Sequence, residues 1–202
     1  MLCLGAHSDD IEIGCAGTLL RWLSEYRSID ITWAVFSAVG ERGDEARASA
    51  EALLAAASTR RILLGDLPDA HFPADFSRAK AFARSVAQQI EPDVVLTHRR
   101  EDAHQDHRLV AELTWQTWRD HLILEYEIPK YDGDLGRPNL YVPLTVTLAQ
   151  RKIDHLLKQF GSQRPKDWFC AETFSSLMRL RGVECRAENG FAEGFHIRKA
   201  KL

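Results

Sequence analysis

An α/β fold with a doubly wound, mostly parallel sheet is predicted by three features of the sequence. Short apolar runs alternate with segments in which apolar residues recur at helical spacing. The runs are the buried, apolar kind of strand that parallel sheets contain. Helices that alternate with such strands cover the sheet from both sides. The predicted architecture is therefore Rossmann-like, with helices on both faces of the sheet.

The elements of the first half follow in regular order. Leu2 to Ala6 is a short apolar run that ends in polar residues and predicts a strand, and Ala16 to Leu23 shows helical spacing. Ile29 to Ser37 is rich in β-branched and aromatic residues and predicts the second strand. Asp44 to Ser58 is alanine-rich and predicts a helix, and Ile62 to Leu64 predicts the third strand.

The later elements are less evenly spaced. Phe76 to Ile90 predicts a helix that ends before Pro92, and Asp93 to His98 predicts the fourth strand. Further elements are expected as a helix from Leu109, strands at Leu122 to Ile128 and Leu140 to Leu144, and a helix at Ile153 to Phe160.

The size and composition fit a single globular domain, residues 1–202. Hydrophobic residues make up 45% of the chain and charged residues 27%, which argues against disorder. A net charge of −3 gives no basic surface for nucleic acid. The sequence has no apolar stretch of about 18 residues that would span a membrane, and its N-terminus lacks the basic leader of a signal peptide. The four cysteines show no Cys-x-x-Cys spacing, which favours free thiols and a cytoplasmic location.

Two polar segments follow predicted strands, where such a sheet places its functional groups. Ala6 to Glu12 (AHSDDIE) places an imidazole and two adjacent carboxylates in one tight turn. His98 to His107 (HRREDAHQDH) supplies three more imidazoles and further carboxylates. In a doubly wound sheet these two strand ends can be neighbours, so the two segments are expected to converge.

Two histidines and one carboxylate from these segments form a ligand set that suits zinc and leaves a coordination position for water. Zinc lowers the pKa of bound water towards about 7, and a carboxylate that does not bind the metal can take the proton. The side chains of the consecutive Asp9 and Asp10 diverge in a turn, so that one can coordinate while the other faces the water. Fe(II) suits the same ligands.

Each motif alone also has a structural interpretation. Histidines and carboxylates in loops are often only solvated, and two histidines at this spacing are common by chance. Asp9 and Glu12 match a capping box, in which Asp9 is the N-cap and Glu12 reaches back to the backbone. We expect that structural role for Glu12. His98 ends a strand beside the expected site and is a candidate for substrate binding.

The two motifs together resemble the PIG-L (LmbE-like) family of zinc-dependent N-acetyl sugar deacetylases. The family signature Ala-His-Pro-Asp-Asp, followed by a Gly-Cys-Gly-Gly-Thr-like stretch, is matched by AHSDDIEIGCAGTL from Ala6 to Leu19. The signature His-x-Asp-His before a helix is matched by HQDHRLVAE from His104 to Glu112. Ser8 replaces the usual proline and Ala16 a frequent glycine, and neither change removes a ligand. A weaker likeness extends to Ala192–Phe195.

The resemblance implies a metal-binding and catalytic set. It places the ligands of one zinc ion per chain at His7, Asp10 and His107. It makes Asp9 the general base. It places His104 near the substrate carbonyl, where it stabilises the oxyanion or protonates the leaving amine.

The resemblance also implies supporting residues. Asp106 would orient a histidine, which is a common task of carboxylates around metal sites. Family members carry a substrate-binding arginine after the second strand, for which Arg42 and Arg47 are the candidates here.

The activity that the resemblance implies is removal of an N-acetyl group from an N-acetylglucosamine-type amino sugar or its conjugate. The turn-rich loop of residues 127–139 is expected to flank or cover the site, and Trp168 suits either the core or a sugar platform. Family members often self-associate, so a homo-oligomer is expected. Two alternatives stay open: a metal-dependent phosphoesterase, which typically holds two metals about 3.5–4 Å apart, and a non-catalytic module that binds sugar or metal.

Overall fold

The computed structural model describes residues 1–200 of the chain. Its strands are β1 (Leu2–Gly5), β2 (Asp30–Val35), β3 (Thr59–Leu64), β4 (Val94–His98), β5 (Leu122–Tyr126), β6 (Leu140–Leu144) and β7 (Phe191–His196). Its α-helices are α1 (Asp10–Glu25), α2 (Gly40–Leu53), α3 (Phe76–Ala87), α4 (Gln105–Thr117), α5 (Val146–Gln159) and α6 (Ala171–Glu184). A short 3-10 helix, Gly161–Gln163, follows α5.

The strands form one sheet in the order β3-β2-β1-β4-β5-β7-β6. Strands β1 to β5 are parallel to one another. Strand β7 lies between β5 and β6 and runs antiparallel to both. The predicted α/β fold with a mostly parallel sheet is therefore confirmed.

Helices cover both faces of the sheet and enclose two cores. α1, α2, α5 and α6 pack on one face, and α3 and α4 pack together on the other. Strand β1 contributes side chains to both cores. Leu2 and Leu4 pack in the core beneath α3 and α4, whereas Cys3 packs in the core beneath α1 and α5. All four residues of β1 are buried for this reason.

The sequence analysis misses α6 and β7 and misplaces the ends of α2. Strand β7 contains the buried Glu193, and this charge interrupts the apolar run from which a strand is predicted. Helix α2 begins at Gly40 and ends at Leu53, whereas the alanine-rich pattern predicts residues 44–58. Alanine favours a helix without marking where it begins or ends, so composition alone does not place these boundaries.

The position of β1 between β2 and β4 brings the two sequence motifs together. The strand order reverses at this point, and the loops that leave the carboxyl ends of β1 and β4 open side by side. Ligands of α/β sheets bind in the crevice at such a reversal. The loop after β1 leads into α1 and the loop after β4 leads into α4, and each carries one of the motifs.

Helix α1 is interrupted at Cys15, five residues after the helix begins at Asp10. Cys15 has φ −149° and ψ 16°, so the regular hydrogen bonding of the helix stops there. The backbone N–H groups of Gly17 and Thr18 instead donate to the two carboxylate oxygens of Glu193, at 2.9 and 2.6 Å. Glu193 thus caps the second half of α1, as a side-chain acceptor does at an ordinary helix start.

A buried lysine completes this junction. The Nζ of Lys152 on α5 donates to Oε1 of Glu193 and to the carbonyl oxygen of Ile13, each at 2.6 Å. Lys152 and Glu193 are both almost fully buried. The ion pair therefore ties α5 and β7 to the two halves of α1.

Among residues 1–200, none of the helices combines the length and the apolar character that crossing a membrane requires.

We predict that Lys152→Met lowers the free energy of unfolding by about 3–5 kcal/mol, because removing one partner of a buried ion pair leaves the other charge uncompensated. The measurement is urea-induced unfolding followed by circular dichroism. The matched control is Arg151→Met, an exposed neighbour on the same helix, which should change the stability by less than about 0.5 kcal/mol. Equal stability of the two variants would show that the pair does not hold α1 together.

Candidate active site

Three side chains from the two loops place donor atoms around one point. Nδ1 of His7 lies 3.2 Å from Nε2 of His107 and 3.3 Å from Oδ2 of Asp10. Oδ1 of Asp10 lies 3.4 Å from Nε2 of His107. All three residues are almost fully buried. The two loops therefore converge as the sequence analysis predicts.

The outer ring nitrogens of both histidines face carboxylates. Nε2 of His7 lies 3.2 Å from Oδ2 of Asp106 and 2.9 Å from Oδ1 of Asp69. Nδ1 of His107 lies 3.1 Å from Oδ2 of Asp102. A carboxylate beside the outer nitrogen favours a proton there, so that the inner nitrogen keeps its lone pair.

The donor set fits a tetrahedral metal ion. Bonds of about 2.0–2.1 Å place the donors of a tetrahedral zinc site about 3.3 Å apart. The two histidine nitrogens are 3.2 Å apart, and Asp10 faces them with different oxygens, Oδ2 at 3.3 Å from His7 and Oδ1 at 3.4 Å from His107. Burial raises the pKa of Asp10, but His107, His98 and His7 outweigh it and hold the pKa well below its usual range. Asp10 is therefore an ionised carboxylate that can coordinate a cation.

Asp9 occupies the position beside this donor set. Its Oδ1 accepts a hydrogen bond from Nη2 of Arg42 at 3.0 Å, and Nη1 of Arg42 donates to Asp69 at 2.9 Å. Burial and the charge of Asp10 raise the pKa of Asp9, whereas Arg42 lowers it. A carboxyl group with a raised pKa is suited to accepting a proton near neutral pH.

His104 begins α4 and faces the same space. Its Nδ1 accepts a hydrogen bond from the backbone N–H of Asp106 at 3.2 Å, so it caps the helix. Burial and the nearby His107 lower the pKa of His104. A neutral ring whose Nδ1 is an acceptor carries its proton on Nε2, which makes that nitrogen a hydrogen-bond donor.

A cavity of about 210 Å³ opens over these groups. Its floor is formed by His7, Asp9, Asp10, Arg42, Asp69, His104 and His107. Its walls are formed by Ile128, Lys130, Tyr131 and Asp132 from the loop of residues 127–139, and by Lys166 and Trp168. The hydroxyl of Tyr131 donates to Asp167 at 2.5 Å and joins the two walls.

Two candidates for substrate binding lie away from this cavity. Arg47 is exposed on α2 and is not among the residues that line it, so the geometry favours Arg42 of the two arginines. His98 is fully buried and also outside the lining. Its Nε2 accepts the backbone N–H of Ala6 at 2.9 Å, and its ring stacks on His107 with centroids 4.0 Å apart. His98 supports the first loop from behind and has no access to substrate.

The expectation that Glu12 closes a capping box is wrong. Asp9 is the residue before α1, but its side chain makes no capping hydrogen bond. Glu12 points into the protein and accepts a hydrogen bond from Ser49 of α2, and Ser49 also contacts Nε2 of His155 at 2.7 Å. The buried partner on α2 outcompetes the local backbone contact, and a local pattern cannot reveal that partner.

Asp69 and Asp102 contact histidines of the site and are positions that the sequence analysis misses. Asp69 lies in the loop after β3, and Asp102 precedes His104 by two residues. The available signal is position: both follow carboxyl ends of parallel strands, where functional groups gather. Neither matches a metal-ligand spacing. Each contacts a histidine of the donor set formed by His7, Asp10 and His107, and neither belongs to that set.

A comparison with models of known protein families covers the part of the chain that carries this site. A family model described as PIG-L: GlcNAc-PI de-N-acetylase matches residues 2–118, more than half of the chain. This range contains both loops and every residue of the cavity floor.

Solved structures show the same fold at low sequence identity. The N,N'-diacetylchitobiose deacetylase from Pyrococcus horikoshii is 20% identical, with a TM-score of 0.71 over 97% of this chain and 82% of that chain. The conserved protein TT1542 from Thermus thermophilus is 20% identical, with a TM-score of 0.72 over 100% and 95%. GalB, a 4-carboxy-2-hydroxymuconate hydratase from Pseudomonas putida, is 17% identical, with a TM-score of 0.77 over 100% and 96%. One fold thus carries different chemistries, so the site and the family must decide the function.

The burial of His155 predicts a pH dependence of stability. Burial and the charge of Lys158 lower the pKa of His155 from 6.5 to about 4. The unfolded chain binds a proton below about pH 6.5, but the folded chain binds it only below about pH 4. The stability that neutral His155 contributes is therefore present above about pH 6.5 and is lost as the pH falls towards 4.

We predict that His155→Gln loses less stability than the parent protein between about pH 7 and about pH 4.5, by about 2 kcal/mol. Urea unfolding of chelator-treated protein at the two pH values measures the difference. His71→Gln, at an exposed histidine, should keep the pH dependence of the parent. A parent-like pH dependence in His155→Gln would refute the assignment to His155.

Proposed function

The chain belongs to the PIG-L family, and we propose that it is a zinc-dependent hydrolase that removes the N-acetyl group from an N-acetylglucosamine-type amino sugar or its conjugate. The observation that carries this proposal is the arrangement of His7, Asp10 and His107 around one point, with Asp9 beside them in the same cavity. In this proposal these three residues hold the metal, and Fe(II) suits the same set. The cytoplasmic location and the homo-oligomer expected from the sequence stay predictions.

The proposed reaction divides the chemistry between two side chains. A zinc ion bound to His7, Asp10 and His107 would polarise the acetamide carbonyl and lower the pKa of water towards about 7. Asp9 takes a proton from the attacking water, whose oxygen bonds to the acetyl carbon. The carbon–nitrogen bond then breaks, and Asp9 returns the proton to the departing amine. Acetate and a free amino sugar are the products.

His104 and Arg42 complete the proposed machinery. The Nε2–H of neutral His104 donates to the carbonyl oxygen as negative charge develops on it. Arg42 holds Asp9 by the 3.0 Å contact and fixes its direction. Asp106 and Asp69 hold His7 by its outer nitrogen, as the resemblance implies for Asp106.

The walls of the cavity support an amino sugar as the substrate. The indole of Trp168 is half-buried and lines the cavity. Tyr131, from the loop of residues 127–139, lines the same cavity. Aromatic rings offer an apolar face with a polar edge, which matches a sugar ring that has both apolar and hydroxylated faces. The floor below them carries the groups that would act on an acetamide.

We predict that Asp9→Asn lowers the rate of acetate release by about 10²–10⁴-fold, the usual effect of losing a general base, while the protein still binds zinc. Acetate release from N-acetylglucosamine derivatives measures the activity, and elemental analysis measures the bound metal. His107→Ala is the matched variant and should lose the metal together with the activity. Full activity in Asp9→Asn would overturn the general-base assignment.

The same assays separate the proposal from its alternatives. A phosphoesterase would release phosphate from sugar phosphates and would typically bind two metal ions per chain. A non-catalytic module would bind sugar or metal without turnover and would not depend on Asp9. Removal of metal by a chelator should abolish acetate release, and added zinc should restore it. Restoration by iron but not by zinc would revise the metal and leave the reaction unchanged.

A further inference from the structure

The carboxylate that faces His107 divides its two oxygens between different partners. Oδ2 of Asp102 lies 3.1 Å from Nδ1 of His107. Oδ1 accepts the backbone N–H of His104 at 2.8 Å and lies 3.0 Å from Nζ of Lys130. The Asp102 side chain is only 4% exposed, so its charge needs a nearby cation.

Lys130 supplies that cation from the loop of residues 127–139. Its side chain is 9% exposed. Its Nζ lies 2.7 and 2.8 Å from the two carboxylate oxygens of Asp134 and donates to the carbonyl oxygen of Ile128 at 3.3 Å. Asp134 in turn accepts the backbone N–H of Ala103 at 2.6 Å, so the loop is bound at two points to the segment before α4.

These contacts use all the hydrogen-bonding capacity of the lysine. An ammonium group has three N–H donors and no acceptor. The two oxygens of Asp134 and the carbonyl oxygen of Ile128 accept three hydrogen bonds from Lys130, and Asp102 pairs with the same charge at 3.0 Å. Lys130 lines the cavity, but no donor remains to bind a substrate. Its interactions point away from substrate and towards the carboxylate that faces His107.

We propose that Lys130 is a positioning residue, which holds Asp102 against His107 and so makes the metal centre depend on the order of the loop of residues 127–139. The proposal rests on the metal site of the proposed function. With Lys130 on Oδ1, only Oδ2 remains for His107. The negative charge of Oδ2, 3.1 Å from Nδ1, favours the proton of His107 on that nitrogen and leaves Nε2 free to coordinate.

The sign of the effect distinguishes this role from simple electrostatics. Removing a positive charge near a cation site should tighten metal binding if only Coulomb repulsion acts. Loss of a positioning residue should weaken it. We therefore expect Lys130→Met to weaken zinc binding by about 3–10-fold, somewhat less than the roughly 10–100-fold that is typical for a residue in direct contact with a ligand, such as Asp102.

The test is a double-mutant cycle on the dissociation constant for zinc, measured by competition with a chromogenic chelator. Lys130→Met, Asp102→Asn and the double variant are compared with the parent, and circular dichroism confirms that each is folded. If Lys130 acts through Asp102, the double variant binds zinc within about twofold of Asp102→Asn alone. Lys130→Arg, which keeps the charge, should restore part of the affinity.

Lys166→Met is the matched control, because Lys166 lines the same cavity but is exposed and has Gln163 as its hydrogen-bond partner. It should bind zinc as tightly as the parent or slightly more tightly. Unchanged zinc affinity in Lys130→Met with a raised KM would overturn the proposal in favour of a substrate contact. Additive effects in the double variant would also overturn it. Zinc binding by the parent without acetate release would refute the proposed function and leave this cycle valid.

Discussion

Buried charge that needs compensation is the constraint on which this site depends. The meeting of the β1 and β4 loops places His7, Asp10 and His107 where little water reaches them. Charges withdrawn from water are costly unless each has a partner. The protein meets this cost with a second layer, in which Asp106, Asp69 and Asp102 face the outer nitrogens. The residues that surround His7, Asp10 and His107 are therefore what makes these three side chains suitable for binding a metal.

The same constraint explains why distant elements matter to a site built on two loops. The first loop runs directly into α1, and α1 is broken five residues later at Cys15. Glu193 and Lys152 join the two halves from β7 and α5. The C-terminal third of the chain thus stabilises the helix that carries Asp10, although the family model ends at residue 118.

Prediction from the sequence succeeds where a signal is local and periodic. The apolar runs of β1, β2 and β4 show buried strands, and the two motifs at strand ends show where the functional groups lie. Prediction fails where a partner is remote in sequence. Glu12 matches a capping box but binds Ser49, and His98 looks like a substrate contact although it is buried behind Asp10. In both cases the local sequence pattern is present, but a contact with a residue distant in sequence determines where the side chain lies.

The division between the two halves of the chain also bears on specificity. Every residue of the cavity floor lies within residues 7–107, inside the family match, whereas both walls come from residues 128–168. The floor holds the groups that the proposed reaction would use. The walls meet through Tyr131 and Asp167. The loop of residues 127–139 contacts Asp102 through Lys130, and Asp102 in turn faces His107 of the floor. Under the proposed function, changes in the loop of residues 127–139 would therefore alter the metal centre as well as substrate choice, so the two properties would not be independent in this fold.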